Sequence, residues 1–196
     1  MTLKTCRFIA FLFVALVLAA GLARLFELPV KMALPAVAYL TVQGVYSGWE
    51  LLGIAIAGAL LALATLAWQL RPRSAGWSFL KSSARRSRSQ SARLGRPRAF
   101  ALTLLALVAI VADKAVVWSF AHPVNQATGN WTFLPDNWVA LRAQWEYAHA
   151  SGAVLDLLAF MALVLSVLVT ERPVRVRDPD EASGGRGAPL RFMAVR

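Results

Sequence analysis

The sequence predicts an all-α membrane protein, with four transmembrane helices in an antiparallel bundle and both termini in the cytoplasm. Three observations carry that expectation. Hydrophobic residues make up 58% of the 196 and charged residues only 16%, a balance too apolar to give a domain of this size a water-facing surface. The apolar residues fall in four runs, about 8–26, 49–70, 99–121 and 147–170, each near the roughly 20 residues a helix needs to cross about 30 Å of hydrocarbon. Basic residues then separate by connection. Lys4 and Arg7 precede the first run, nine Lys and Arg with no acid lie between Arg71 and Arg98, and six Arg follow Thr170. The positive-inside rule puts all three stretches in the cytoplasm, and an even number of spans returns the chain to the side where it began.

Taken in order, the first run ends in Ala19-Ala20-Gly21-Leu22-Ala23, which would also pass as a secretory signal with a small-residue cleavage site. Glu27 and Lys31 follow it directly and look like parts of a site, so a retained span is the preferred reading. Small residues at four-residue spacing, Ala15, Ala19 and Ala23 in the first run and Gly53, Ala57 or Ala55, Ala59 in the second, let helix backbones approach closely and predict a packed bundle. Residues 27–48 and 122–146 form the outer loops and 71–98 a basic cytoplasmic loop. Its Ser/Arg composition predicts disorder resting on anionic lipid. Nucleic acid is rejected as a partner, because only Trp77 and Phe79 are near enough to stack on bases. The tail 171–196, rich in Gly, Ala and acid between 178 and 189, reads as a disordered cytoplasmic extension. Trp49, Trp118, Trp131, Trp138 and Trp145 fall at the outer ends or loops and Trp68 and Trp77 at the inner side, as interfacial anchors do. The Arg-over-Lys and Ala-rich usage points to a multi-pass protein of a bacterial inner membrane.

Ionisable groups inside or at the rim of a bilayer are expensive and so are functional candidates. Glu27 closes the first span, Glu50 opens the second, His122 and Asn125 follow the third, and Glu146 and His149 begin the fourth, so four helix ends frame one polar mouth. Lys31, Trp131, Trp138 and Trp145 belong to the same mouth. On the fourth helix Glu146, His149, Gly152 or Ala153, and Asp156 share one inward stripe. Asp156 lies about 15 Å below Glu146 at ~1.5 Å per residue, near the depth of Asp113 and Lys114, which predicts a buried charge cluster of Asp113, Lys114 and Asp156. Glu146 and His149 also have the Glu-x-x-His spacing of di-iron bundles, but the motif occurs once where those bundles need it twice. They are the candidate ligands if a transition metal binds, and no cofactor is established. The one cysteine, Cys6, rules out an intrachain disulfide, and its side of the membrane rules out a nucleophile pair with His149. Phosphate loops, dinucleotide fingerprints and nucleophile elbows are absent from the sequence.

The run His122-Pro123-Val124-Asn125-Gln126-Ala127-Thr128, with Asn130-Trp131, Leu134-Pro135, Trp138, Leu141-Arg142 and Trp145-Glu146-Tyr147-Ala148-His149, resembles the second hairpin of the anthrone oxygenase-like family of small four-helix membrane proteins. Phe26-Glu27-Leu28-Pro29-Val30-Lys31 through Leu34-Pro35 is similar to that family's first outer segment. The resemblance covers roughly residues 8–70 and 99–170. It implies a four-helix fold and a family mostly of unassigned function, some members of which oxidise anthrones to anthraquinones with molecular oxygen. Asn125, Trp131, Trp138, Arg142, Trp145 and His149 are the matching positions. The mechanism it suggests takes His149 as general base on a phenolic substrate, Arg142 or Lys31 as the cation for the enolate, and Glu146 or Glu50 as the partner that fixes the imidazole. Two other classes stay open: an accessory protein binding a membrane partner or a second copy, and a small carrier using the buried Asp113, Lys114 and Asp156.

Overall fold

The computed structural model describes residues 2–72 and 90–170, with side chains from 95 onward in the second stretch. The described residues are all-helical, and four helices are long and apolar enough to cross a membrane. The first is α1 (Leu3–Ala33), the second is α3 (Leu52–Leu70) with the short turn before it, the third is α4 (Gln90–Val116) continued through a wider π-type turn at Val117–Ala121 into α5 (His122–Ala127), and the fourth is α6 (Trp138–Leu168). A short helix, α2 (Ala36–Gln43), lies between α1 and α3.

The helices outrun the apolar runs that announce them. At 31 residues, α1 and α6 are each about 46 Å long at 1.5 Å per residue, well beyond the hydrocarbon thickness. Residues expected in outer loops, Glu27 and Lys31 on one side and Arg142, Trp145 and Glu146 on the other, therefore stand on rigid helix. Likewise 90–98, expected in the basic loop, forms the first turns of α4; the rest of that loop beyond Pro72, and the tail 171–196, lie outside the described residues. Sequence still sets the ends. Thr2 caps α1 by accepting from the Thr5 N–H at 3.2 Å, and Leu34, forced extended by the following Pro35, stops it.

The four long helices pack as a ring in the order α1, α3, α4, α6. Cross-helix contacts give the directions. Cys6 meets Gln69 and Gly58 meets Phe13 between α1 and α3, Arg24 meets His149 and Lys31 meets Glu146 between α1 and α6, and Gly95 meets Val169 while Gly152 meets Asp113 between α4 and α6. Partner numbers fall as residue numbers rise, so each of these pairs runs antiparallel. At the end where α1 begins, a core of Ala10, Val14, Val17, Leu63, Leu66, Ala106, Ile110 and Leu163 fills the ring. The opposite end has an aromatic core of Tyr39, Trp131, Trp145, Val124 and Ala148. Large apolar side chains such as Leu12, Leu16, Leu61, Val108, Leu158 and Met161 face outward along the spans, as lipid contact requires.

The small-residue stripe expected on α1 does not make the bundle. Ala15, Ala19 and Ala23 are exposed, as are Gly53 and Ala57, and the packed face of α1 runs through Cys6, Ala10, Val14 and Val17 instead. Of the two stripes open for α3, the one through Ala55 and Ala59 faces the core, with Ala59 buried and Ala55 partly buried. Close approach is made at Gly58, where a Cβ would stand 2.6 Å from the Phe13 ring, and at Gly152.

Candidate functional site

The polar residues at the aromatic end form two layers. The outer layer has a sealed centre. Lys31 and Glu146, 2% and 1% exposed, pair across α1 and α6, with Lys31 Nζ 3.0 Å from Oε1 and 3.2 Å from Oε2. From α2, Tyr39 donates to Glu146 Oε1 at 2.9 Å and Gln43 Nε2 reaches the same oxygen at 3.5 Å. Tyr39 and Gln43 are one helical turn apart, which is why one short helix delivers both. Lys31 donates to Tyr46 Oη at 2.8 Å, and Tyr46 donates onward to Glu27, whose carboxylate is 3.6 Å from Lys31. A buried pair this well satisfied avoids the cost of a lone ion in an apolar surround. Burial and the neighbouring Glu146 charge push the Tyr39 phenol above its ordinary range. Burial and its bond to Glu27 do the same for Tyr46.

Arg142 completes that layer in a different role. Its Nη1 donates to Leu34 O at 2.8 Å and Lys31 O at 3.5 Å, satisfying carbonyls at the C-terminus of α1, while its guanidinium lies over Trp138 at 4.7 Å. Trp138 is half-buried. Trp145 donates from Nε1 to Asn125 Oδ1 at 2.8 Å, tying α6 to α5. Trp131 reaches the core from a strained turn in which Gly129, Asn130 and Trp131 all have φ between 57° and 64°. Its ring packs edge-on to Tyr39 at 5.0 Å and to Trp145 at 6.0 Å.

The inner layer is only half-buried. Arg24 Nη1 lies 2.9 Å from Nδ1 and 3.0 Å from Nε2 of His149. A guanidinium can only donate, so only a ring nitrogen without a proton can accept from it, and the tautomer decides which of the two that is. Aromatic rings wall this pair. The Arg24 guanidinium lies 4.6 Å from the centres of both Tyr46 and Trp49, and the His149 ring is 4.2 Å from Trp145. Two turns further along α6, Asp156 meets Asp113 of α4, which pairs with Lys114.

The expected mouth loses Glu50 and His122. Glu27, Lys31, Asn125, Trp131, Trp138, Arg142, Trp145, Glu146 and His149 gather at one end of the bundle, and Asp113, Lys114 and Asp156 gather below them. The expected hydrogen bond between Glu146 and the imidazole is not formed, because Glu146 turns toward Lys31 and α2. Lys31 and Arg142 are held by the Glu146 carboxylate and by backbone carbonyls, and Arg24 takes the place beside His149. Glu50 is exposed on the short turn before α3, away from these contacts. His122 stacks on Trp118 at 4.4 Å and does not join His149. Among the described residues no three His, Cys, Asp or Glu side chains converge on a common point for a metal, and Glu146 and His149 in particular face different partners.

Sequence reading passed over Arg24, Tyr39, Gln43 and Trp49. Arg24, Glu27 and Lys31 share one face of a helix at i, i+3 and i+7, a signal visible only once α1 is carried past Phe26. Comparison with protein-family models, curated proteins and solved structures finds no match to this chain.

Proposed function

We propose that the protein is a membrane-embedded oxygenase for a hydrophobic, weakly acidic substrate of the phenol or enol type, with His149 as the base and Arg24 as the cation beside it. The observation that supports this reading is the half-buried Arg24–His149 pair walled by Tyr46, Trp49 and Trp145. It is the part of the polar end where an imidazole meets a guanidinium not engaged by a carboxylate. An apolar substrate entering from the bilayer stacks on the indoles and gives a C–H or O–H proton to His149. The protonated ring no longer accepts from Arg24, which is released to stabilise the enolate oxygen. The enolate passes its electrons to molecular oxygen. For an anthrone, one oxygen atom enters the methylene carbon as the new carbonyl and the other leaves as water with the two methylene hydrogens, so no further reductant is needed. The Lys31–Glu146–Tyr39 layer positions α1 and α2 against α6.

The proposal places the protein in a bacterial inner membrane with both termini cytoplasmic and the polar end outward. Oxygen uptake and quinone formation from an anthrone, measured on membranes with and without the full chain, test the reaction. Loss of the base is expected to cost about 10²- to 10⁴-fold in kcat, so His149→Gln should fall near the background of chain-free membranes. Wild-type turnover in His149→Gln, or no turnover above background in the native chain, overturns the reading. A non-catalytic accessory role is favoured by one observation, the mutual satisfaction of Lys31, Glu146, Tyr39 and Tyr46. A stoichiometric membrane partner co-purifying with an inactive chain would select it.

A further inference from the structure

Below the aromatic end, where α1, α4 and α6 meet, two carboxyl groups are packed against each other. Asp113 and Asp156 are 2% and 4% exposed, and the Asp156 carboxyl lies within hydrogen-bond reach of that of Asp113. Glycines on both sides make this contact. A Cβ on Gly152 of α6 would collide with Asp113 Oδ1, and one on Gly21 of α1 would stand 3.1 Å from Asp156 Oδ2. Asp113 Oδ2 pairs with Lys114, whereas Asp156 Oδ1 is buried with no hydrogen-bond partner among the described residues. The charged or titratable groups around the pair are Lys114 from α4, Arg24 from α1, whose charge acts on Asp113, and His149 two turns before Asp156 on α6; α3 contributes none. Arg24 Nη1 is directed at His149, and Lys114 is the cation in ion-pair contact with the two carboxyl groups among the described residues.

We propose that Asp113 and Asp156 form a proton-binding site within the membrane-spanning part of the bundle, holding one proton between the two carboxyl groups. Two carboxylates cannot hydrogen-bond to each other, because each can only accept; with a single proton between them one becomes a donor and the contact becomes attractive. The same proton brings the Asp113–Asp156–Lys114 group to zero net charge, and a net charge among lipid-facing helices is costly. Uptake is a simple protonation from water, Asp–COO⁻ to Asp–COOH, with no other bond made or broken. A metal cation is a poorer occupant. It needs several oxygen ligands, and here the flanking backbone carbonyls of α4 and α6 are used within the helices. The site is independent of whether His149 is a base.

Infrared spectroscopy on the full chain in lipid vesicles, with aspartate carrying ¹³C at the side-chain carboxyl, reads the proton directly. At pH 7 an exposed aspartate is ionised, so the expected result is a carboxylic C=O band that shifts with the isotope label and in D2O and is lost in both Asp113→Asn and Asp156→Asn. The labelled native chain suffices if a variant fails to fold, and absence of any aspartate-derived carboxylic band at pH 7 overturns the proposal. So does loss of the band on adding sodium chloride at constant pH, which would make the site one for a cation.

Discussion

Lys31 and Glu146 illustrate how a buried ion pair ties distant segments together while leaving each partner dependent on the other. The pair joins residues 115 positions apart, and it is enclosed by Tyr39, Tyr46 and Gln43. Removing one partner strands the other, which typically costs about 3–5 kcal/mol. Lys31→Met is therefore expected to lower the thermal unfolding midpoint in detergent sharply. Lys31→Met combined with Glu146→Gln should recover much of the loss, since no lone charge remains. Equal midpoints for the single and double variants would show that packing, not charge, is what Lys31 contributes. The two tyrosines add a pH dependence. Their phenol groups are raised in the fold above the unfolded value near pH 10, so the stability they give is complete below about pH 10 and is lost as pH rises beyond it. The unfolding midpoint should fall above that pH, and fall less steeply in a chain carrying Tyr39→Phe and Tyr46→Phe.

Between helices, the closest approaches are made at a few glycines and not along the alanine stripe of α1. Gly152 admits Asp113 and Gly58 admits the Phe13 ring, while Gly53 has open space around it. Gly152→Ala is expected to push α4 from α6 at a cost of about 1–3 kcal/mol, the usual range for overpacking. Gly53→Ala should be neutral or stabilising by up to about 1 kcal/mol, as alanine replaces glycine in a helix without a clash. Unfolding midpoints of the two variants, measured side by side in the same detergent, check the contrast. Two alanine substitutions of the same sign and size would mean that the Asp113 contact does not fix the α4–α6 spacing. Arg142 acts at this scale as well, because it ends α1 and docks that end on α6 in one set of bonds. Arg142→Lys keeps the charge but loses the planar guanidinium whose Nη1 reaches two carbonyls while its face lies over Trp138.

For the whole molecule the asymmetry of charge and the asymmetry of the bundle coincide. The contact between Arg7 and Thr170 places the start of α1 beside the end of α6, and Cys6 beside Gln69 brings in the end of α3. All three basic stretches thus leave from one end of the bundle, and the Arg24–His149 and Lys31–Glu146 layers occupy the other. If the basic end faces the cytoplasm, a cysteine placed at exposed Ser47 in a Cys6→Ser background should react with an impermeant maleimide added outside cells. A cysteine in place of Arg196 should react only after permeabilisation. The reverse pattern would invert the protein.

Hydrophobicity and charge alone determined the number of spans, their approximate limits and the end at which polar residues collect. These are properties of local composition against the thickness of a bilayer, and they need no knowledge of neighbours. The inward stripe of α6 from Glu146 to Asp156, and its depth match with Asp113, were legible for the same reason, being fixed by helical pitch. Which charge meets which was not. Glu146 has His149 one turn away in its own helix, yet it bonds to Lys31 and to Tyr39 of a short helix whose docking depends on Pro35 and Arg142. Arg24 stands in no motif of the sequence, and it became the partner of His149 because α1 runs antiparallel to α6 in this register. Pairing across helices depends on register, on rotation about each axis and on the small residues that permit contact, and the tertiary structure decided all three.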